Sequence, residues 1–328
     1  MAEEISSWGP SSRFLRSSTR QRRRSRASRR RPGLPRPRAR SSSFFICDFA
    51  SDLRPSRFAI EEAYERALAH RRADLTAQLD ELAEPLRERG LRVTTDMSFE
   101  EPLHFAIVER VILSDADLVV KDTHYHGAIR RTLFTNTDWH LIRECPVPLL
   151  LTKHAVWRPH LKLAAALDPG HRDDKPATLD LELLRNTEYL ASYLQATVSA
   201  VHVFNSAPVL ASMLPAGPAI SGPSYYEGDL LKNIRDSHTR EFNTVLADYP
   251  AFAAHADLLD GAPAQVLPEY VAENEIDIMV LGAVARSSLQ RVLIGSTAER
   301  LLDRLPCDIL VIKPSRLVKD MWAKARAA

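Results

Sequence analysis

A chain of 328 residues is long enough for two ordinary domains, and its net charge of +2 conceals a division. Of its 44 basic residues, 13 are arginines within residues 1–40, which hold 2 acids, so 31 basic residues stand against 40 acidic ones in the remainder. An acidic body is a poor partner for nucleic acid or an anionic membrane surface, no apolar run reaches the ~18 residues of a spanning helix, and three widely spaced cysteines, Cys47, Cys145 and Cys307, suit a reduced cytoplasmic compartment.

Near the amino end, residues 16–43, "RSSTRQRRRSRASRRRPGLPRPRARSSS", are almost free of aliphatic side chains and cannot bury enough surface to offset their ordering entropy. Residues 1–42 therefore read as a disordered tail. A nucleic-acid-binding arm, a transit peptide and sequence foreign to the natural chain are the competing explanations. Glu3, Glu4 and the proline-rich end argue against the amphipathic helix of a transit peptide.

Past the tail, "SFFICDF" (43–49) reads as a strand, 57–89 as a helix, "LRVTTDM" (91–97) as a strand, and "DLVVK" and "VPLLLTK" (147–153) as two more. The segment 117–153 then recurs at 277–313 with a constant offset of 160: Asp117 meets Asp277, Thr137 meets Thr297 and Pro146 meets Pro306. Two copies of one domain are expected, 43–154 and 155–315, followed by a short tail, 316–328.

The second copy is the more complete. It offers "LKLAAALD" (161–168) as its first strand, a helix over 179–195, "VSAVHVF" (198–204), a long Gly/Pro/Ser loop over 205–228, and a helix over about 229–247. Then come "AHADLLD" (254–260), the helix "PAQVLPEYVAENE", and "IDIMVLG", "STAERLLDRL" and "DILVIK" as strand, helix and strand. Strands alternating with helices mean an α/β fold, a doubly wound parallel sheet of Rossmann-like type in each copy, with ligands beyond the carboxyl ends of the strands.

Between the last two strands lies "GAVARSSLQRVLIGST" (282–297). Gly282 allows close backbone approach, and Gly295, Ser296 and Thr297 sit where free N–H groups at a helix start could hold phosphate. The same residues also suit an ordinary helix start, with a hydroxyl cap and Glu299 closing a capping box. Spacing alone leaves both open.

The stretch "VLGAVARSSLQRVLIGSTAERLLDRLPCDILVIKP", with "GAPAQVLPEYVAENEIDIMVLG" before it and "FTNTDWHLIRECPVPLLLTK" closing the first copy, resembles the universal stress protein family in its tandem bacterial form, over about 44–315. Nucleotide-binding members of that family carry Gly-x2-Gly-x9-Gly-Ser/Thr, and here the pattern is Gly282-x2-Ala285-x9-Gly295-Ser296. The resemblance implies ATP as ligand of the second domain. Gly282, Gly295, Ser296 and Thr297 would lie at the triphosphate, Asp168 by the adenosine and Val203 at the base pocket. It also implies a stress-survival role exerted through binding and not turnover, and an intramolecular pseudo-dimer of the two halves, with a homodimer as a further assembly. Ala285 departs from the pattern by a methyl group. A weak ATPase and a nucleic-acid-binding factor using the basic tail are the alternatives, and neither a nucleophile triad nor a phosphate-loop lysine is present to favour the first.

At the matching positions the first copy has Asp122, Tyr125, Thr135 and Asn136, which oppose phosphate by charge and volume. His124 and His126 lack a third cluster, so no metal site is expected. In the strand order 3-2-1-4-5 the first strand is central. The first copy has no counterpart of it, which would leave its neighbours with unpaired backbone groups.

Overall fold

The computed structural model describes residues 12–16, 41–47, 61–123, 125–126, 131–132, 134–153, 157–170, 178–213, 225–283, 301–315, 317–319 and 321–322. They form two compact units, one of Gly9–Asp122, Asn136–Leu149 and Met321–Ala328, the other of Leu150–Asp320 with Thr123–Thr135.

In chain order the first copy contributes β1 (Ser12–Arg16), β2 (Ser41–Cys47), α1 (Glu61–Glu88), β3 (Arg92–Ser98), α2 (Leu103–Ser114), β4 (Leu118–Asp122), the two-residue strands β5 (Tyr125–His126) and β6 (Arg131–Thr132), α3 (Asn136–Glu144) and β7 (Leu149–Thr152). Within the first unit the strand order is β3-β2-β1-β4, with β2 and β3 parallel. The core is made by the apolar periodicity of α2 and β4: Ile107, Val111 and Val119 are almost wholly buried, each such side chain worth roughly 1.5–3 kcal/mol of transfer free energy.

The reading of residues 1–42 as wholly without order is corrected here. Ser12–Arg16 is a strand antiparallel to both neighbours, with Phe14 opposite Ser43 on one side and Val119 on the other. Among the described residues the place between β2 and β4 is taken by antiparallel β1. The reason is the one that made the gap improbable: β2 and β4 need partners for their inward-facing N–H and C=O groups.

The second copy follows as β8 (Lys162–Leu167), α4 (Leu179–Leu194), β9 (Thr197–Phe204), α5 (Ala207–Met213), α6 (Tyr225–Leu246), α7 (Pro250–Ala253), β10 (Ala256–Asp260), α8 (Pro263–Glu273), β11 (Ile278–Gly282) and β12 (Asp308–Ile312). Its strand order is β10-β9-β8-β11-β12, each neighbouring pair parallel, which is the 3-2-1-4-5 arrangement. Leu163, Ala164 and Ala165 of central β8 are fully buried, as a strand covered on both faces requires. The segment expected to be loop over 205–228 begins instead with α5; "APVLASM" has no glycine and one proline, at the second helical position, where a missing N–H costs nothing.

The repeat is visible in individual hydrogen bonds. Asp115 and Glu275 both take the left-handed conformation, at φ 51° and 55°. Behind them Ala116 donates to the Val111 carbonyl at 3.2 Å and Ile276 to the Val271 carbonyl at 3.0 Å, each pair displaced by the same 160 positions. Both copies leave their helix and enter the next strand by one and the same turn.

Candidate functional site

The carboxyl ends of β9, β8 and β11 lie side by side in the second unit, and the winding direction reverses between β8 and β11. Asp168 follows β8 directly, Gly282 ends β11, and Val203 is the penultimate residue of β9, opposite Leu259. Asp168 and Gly282 thus flank the crevice where open parallel sheets take ligands. Gly295, Ser296, Thr297 and Ala285 lie outside the described residues.

Gly282 has a structural explanation of its own. A Cβ there would lie 2.9 Å from Leu179 Cδ2 and 3.4 Å from Leu183 Cδ1, both on α4 and both buried. Close packing of α4 on β11 therefore leaves a Cβ no room unless Leu179 shifts. Asp168 is held by its own backbone, whose N–H donates to the Asp180 carboxylate at 3.1 Å. Asp180 sits in the first turn of α4 and is buried, so its charge faces the helix start as well as Asp168.

His202 lies buried in the apolar run of β9, where it is joined to His238. His202 Nδ1 lies 3.0 Å from the Leu167 carbonyl oxygen and Nε2 lies 2.9 Å from His238 Nδ1 on α6. A carbonyl can only accept, so in the neutral ring Nδ1 carries the proton, and Nε2 accepts from His238. His238 in turn stacks on Phe204, with centroids 4.8 Å apart. Burial lowers the pKa of His202, opposed by the Leu167 carbonyl and reinforced by His238. Beside Asp168 lies an imidazole pair backed by an aromatic ring. No sequence signal could have found it, because His238 is 36 residues from His202 and its helix phase alone does not assign a partner. Nearby, Asp260 closes β10 by accepting from the Ser206 N–H at 3.0 Å and the Ser206 hydroxyl at 2.6 Å.

In the first copy, Asp122 ends β4 and Tyr125 begins β5. Lys121 there makes an ion pair with Asp138 at 2.8 Å, Asp138 being fully buried in the first turn of α3. A carboxylate already occupies the positive end of that helix. Of the histidines considered as ligands, His126 lies in β5 and His124 lies outside the described residues.

The sequence profile of the universal stress protein family matches residues 39–153 and 174–313. Among similar proteins are universal stress protein E of Salmonella typhi, 30% identical over 239 residues, 73% of this chain and 74% of that protein. Universal stress protein E of Escherichia coli K12 is 29% identical over 241 residues, 74% of each chain. Among solved structures, a functionally unknown protein from Pseudomonas aeruginosa PAO1 superposes with a TM-score of 0.64 at 24% identity, over 87% of this chain and 86% of that one. A universal stress protein from Archaeoglobus fulgidus gives a TM-score of 0.52 at 12% identity, covering 78% and 83%. These two share the fold.

Proposed function

The chain belongs to the universal stress protein family, with two copies of the family domain, and from that premise we propose that it acts in stress survival by binding a nucleotide, ATP in the first instance, in its second domain. The observation that carries this reading is the placement of Asp168 and Gly282 on either side of the point where the sheet reverses, with Val203 on the adjoining strand. A carboxylate there suits the hydroxyls of a ribose, and the His202–His238 pair with Phe204 offers flat rings suited to a base. Gly295, Ser296 and Thr297 would supply the phosphate contacts from the start of the following helix.

The first domain plays a supporting part. Its buried Lys121–Asp138 pair fills the place where the second copy would admit phosphate, and Asp122 stands where the second copy has Gly282. The action is binding without turnover, in the cytoplasm. No helix of the described residues is long and apolar enough to cross a membrane.

Calorimetry on the full chain tests the proposal. ATP should bind at one site, and Asp168→Asn and Gly295→Val should each weaken it, the second at least tenfold, because a branched side chain blocks anion approach. Absence of ATP binding to the unaltered chain would overturn the reading.

A further inference from the structure

We propose that His104, His140 and Glu144 form a site for a borderline divalent metal ion, Zn2+ in particular, that links α2 to α3 in the first domain. His140 and Glu144 stand at i and i+4 on α3, so one helix face presents both. His104 comes from the first turn of α2, and its ring lies directly on that of His140, with centroids 3.9 Å apart and planes within 9°. The Glu144 carboxylate addresses both rings: Oε1 is 3.1 Å from His140 Nδ1 and Oε2 is 3.5 Å from His104 Nε2. One nitrogen from each histidine and one carboxylate oxygen all lie within 4.8 Å of one another.

A plain ion pair explains this arrangement poorly. The contact of 3.5 Å is long beside the ~2.7–2.9 Å of a charge-assisted hydrogen bond, and two stacked imidazoles repel if both are protonated. Burial is the main influence on His104 and lowers its pKa; His140 adds to that effect and Glu144 opposes it.

Two imidazole nitrogens and a carboxylate are a zinc donor set, and three protein ligands leave one position for water. Ligand atoms around a tetrahedral ion at ~2.0–2.2 Å lie roughly 3.3–3.5 Å apart, so separations of up to 4.8 Å must close by as much as about 1.5 Å. The side chains that must move are the free ones. His140 and Glu144 are 41% and 39% exposed while His104, at 8%, is the fixed anchor. Their exposure also provides the entry path. His140 and Glu144 show the spacing in sequence, but His104 is 36 positions away and only the packing of α2 on α3 adds it. The site lies in the other domain from the nucleotide crevice and stands or falls independently of it.

The test is titration of the chelator-treated full chain with Co2+ and Zn2+, followed by calorimetry and visible absorption. One equivalent of Co2+ should bind with the visible bands of a four-coordinate nitrogen and oxygen site, be displaced by Zn2+, and raise the unfolding midpoint. His140→Ala and Glu144→Gln should each weaken binding by about tenfold or more; both side chains are partly exposed, so the variants keep their fold, which circular dichroism checks where His104→Ala could not. No saturable binding, binding unchanged in both variants, or a thiolate-to-cobalt band pointing to Cys145 would each overturn the proposal.

Discussion

Lys153 departs far from its ordinary behaviour in water. Its ammonium donates to the carbonyls of Leu302 and Leu305 at 2.8 and 2.7 Å, and its backbone N–H donates to Asp308, which also accepts from the Trp157 indole at 2.6 Å. Burial brings its pKa from 10.5 down to about 8. The unfolded chain then holds the extra proton between pH 8 and 10.5, so the charge weakens the fold below pH 8 and the fold gains as pH rises through that window. Cys307 acts in the opposite sense, since burial lifts its thiol from 9.0 to about 12 and its contribution declines above pH 9. Urea unfolding should therefore show the wild type gaining on Lys153→Met between about pH 8 and 9, while the variant is less stable by about 1–3 kcal/mol at neutral pH because two buried carbonyls lose their donor. A difference independent of pH would mean that the amine titrates as it does in water. His202 offers a second check. Protonating Nε2 would set N–H against N–H, so a side-chain NMR titration should find its midpoint below 6.5, and a midpoint at or above that value would refute the hydrogen-bond assignment. Neither behaviour was legible in the sequence: a lysine in "LLLTK" and a histidine in "VSAVHVF" show apolar neighbours, not the carbonyls and rings that reach them from distant segments.

At the scale of elements the sequence carried much further. Strand ends agreed within about two residues wherever an apolar run stopped at a charge or proline, as at "LKLAAALD" and "DILVIK", because period and burial together fix a strand. The 160-residue offset holds down to single hydrogen bonds, since homologous turns must satisfy the same backbone groups. Isolated signals were less telling: Gly282 suits close approach to a ligand, and the structure adds that α4 packs tightly against it. Gly282→Ala should cost about 1–3 kcal/mol in denaturant unfolding by forcing Leu179 aside, and Leu179→Ala in that background should return part of the loss. If the single variant proved neutral, α4 would have room to shift and the glycine would be left with its ligand role.

For the molecule as a whole, the lesson concerns a missing part. Comparing the two copies correctly located a gap between β2 and β4, because a repeat makes any absence conspicuous. It could not say what fills the gap, since five residues of "SRFLR" amid arginines carry no strand period strong enough to read. The structure answers with an antiparallel strand, which pairs without the crossover helix that a parallel strand needs. The answer is checkable. Phe14 pairs with Ser43 and with Val119, so Phe14→Pro removes a ladder donor from a central strand and leaves a neighbour's carbonyl unpaired. Amides of Phe44–Ile46 and Val119–Lys121 should then exchange with solvent roughly 100-fold faster, in line with the ~3 kcal/mol that an interior proline costs. Amides of β8 and β9, in the other unit, serve as the internal reference. Unchanged exchange in β2 and β4 would mean that these strands are held together without β1.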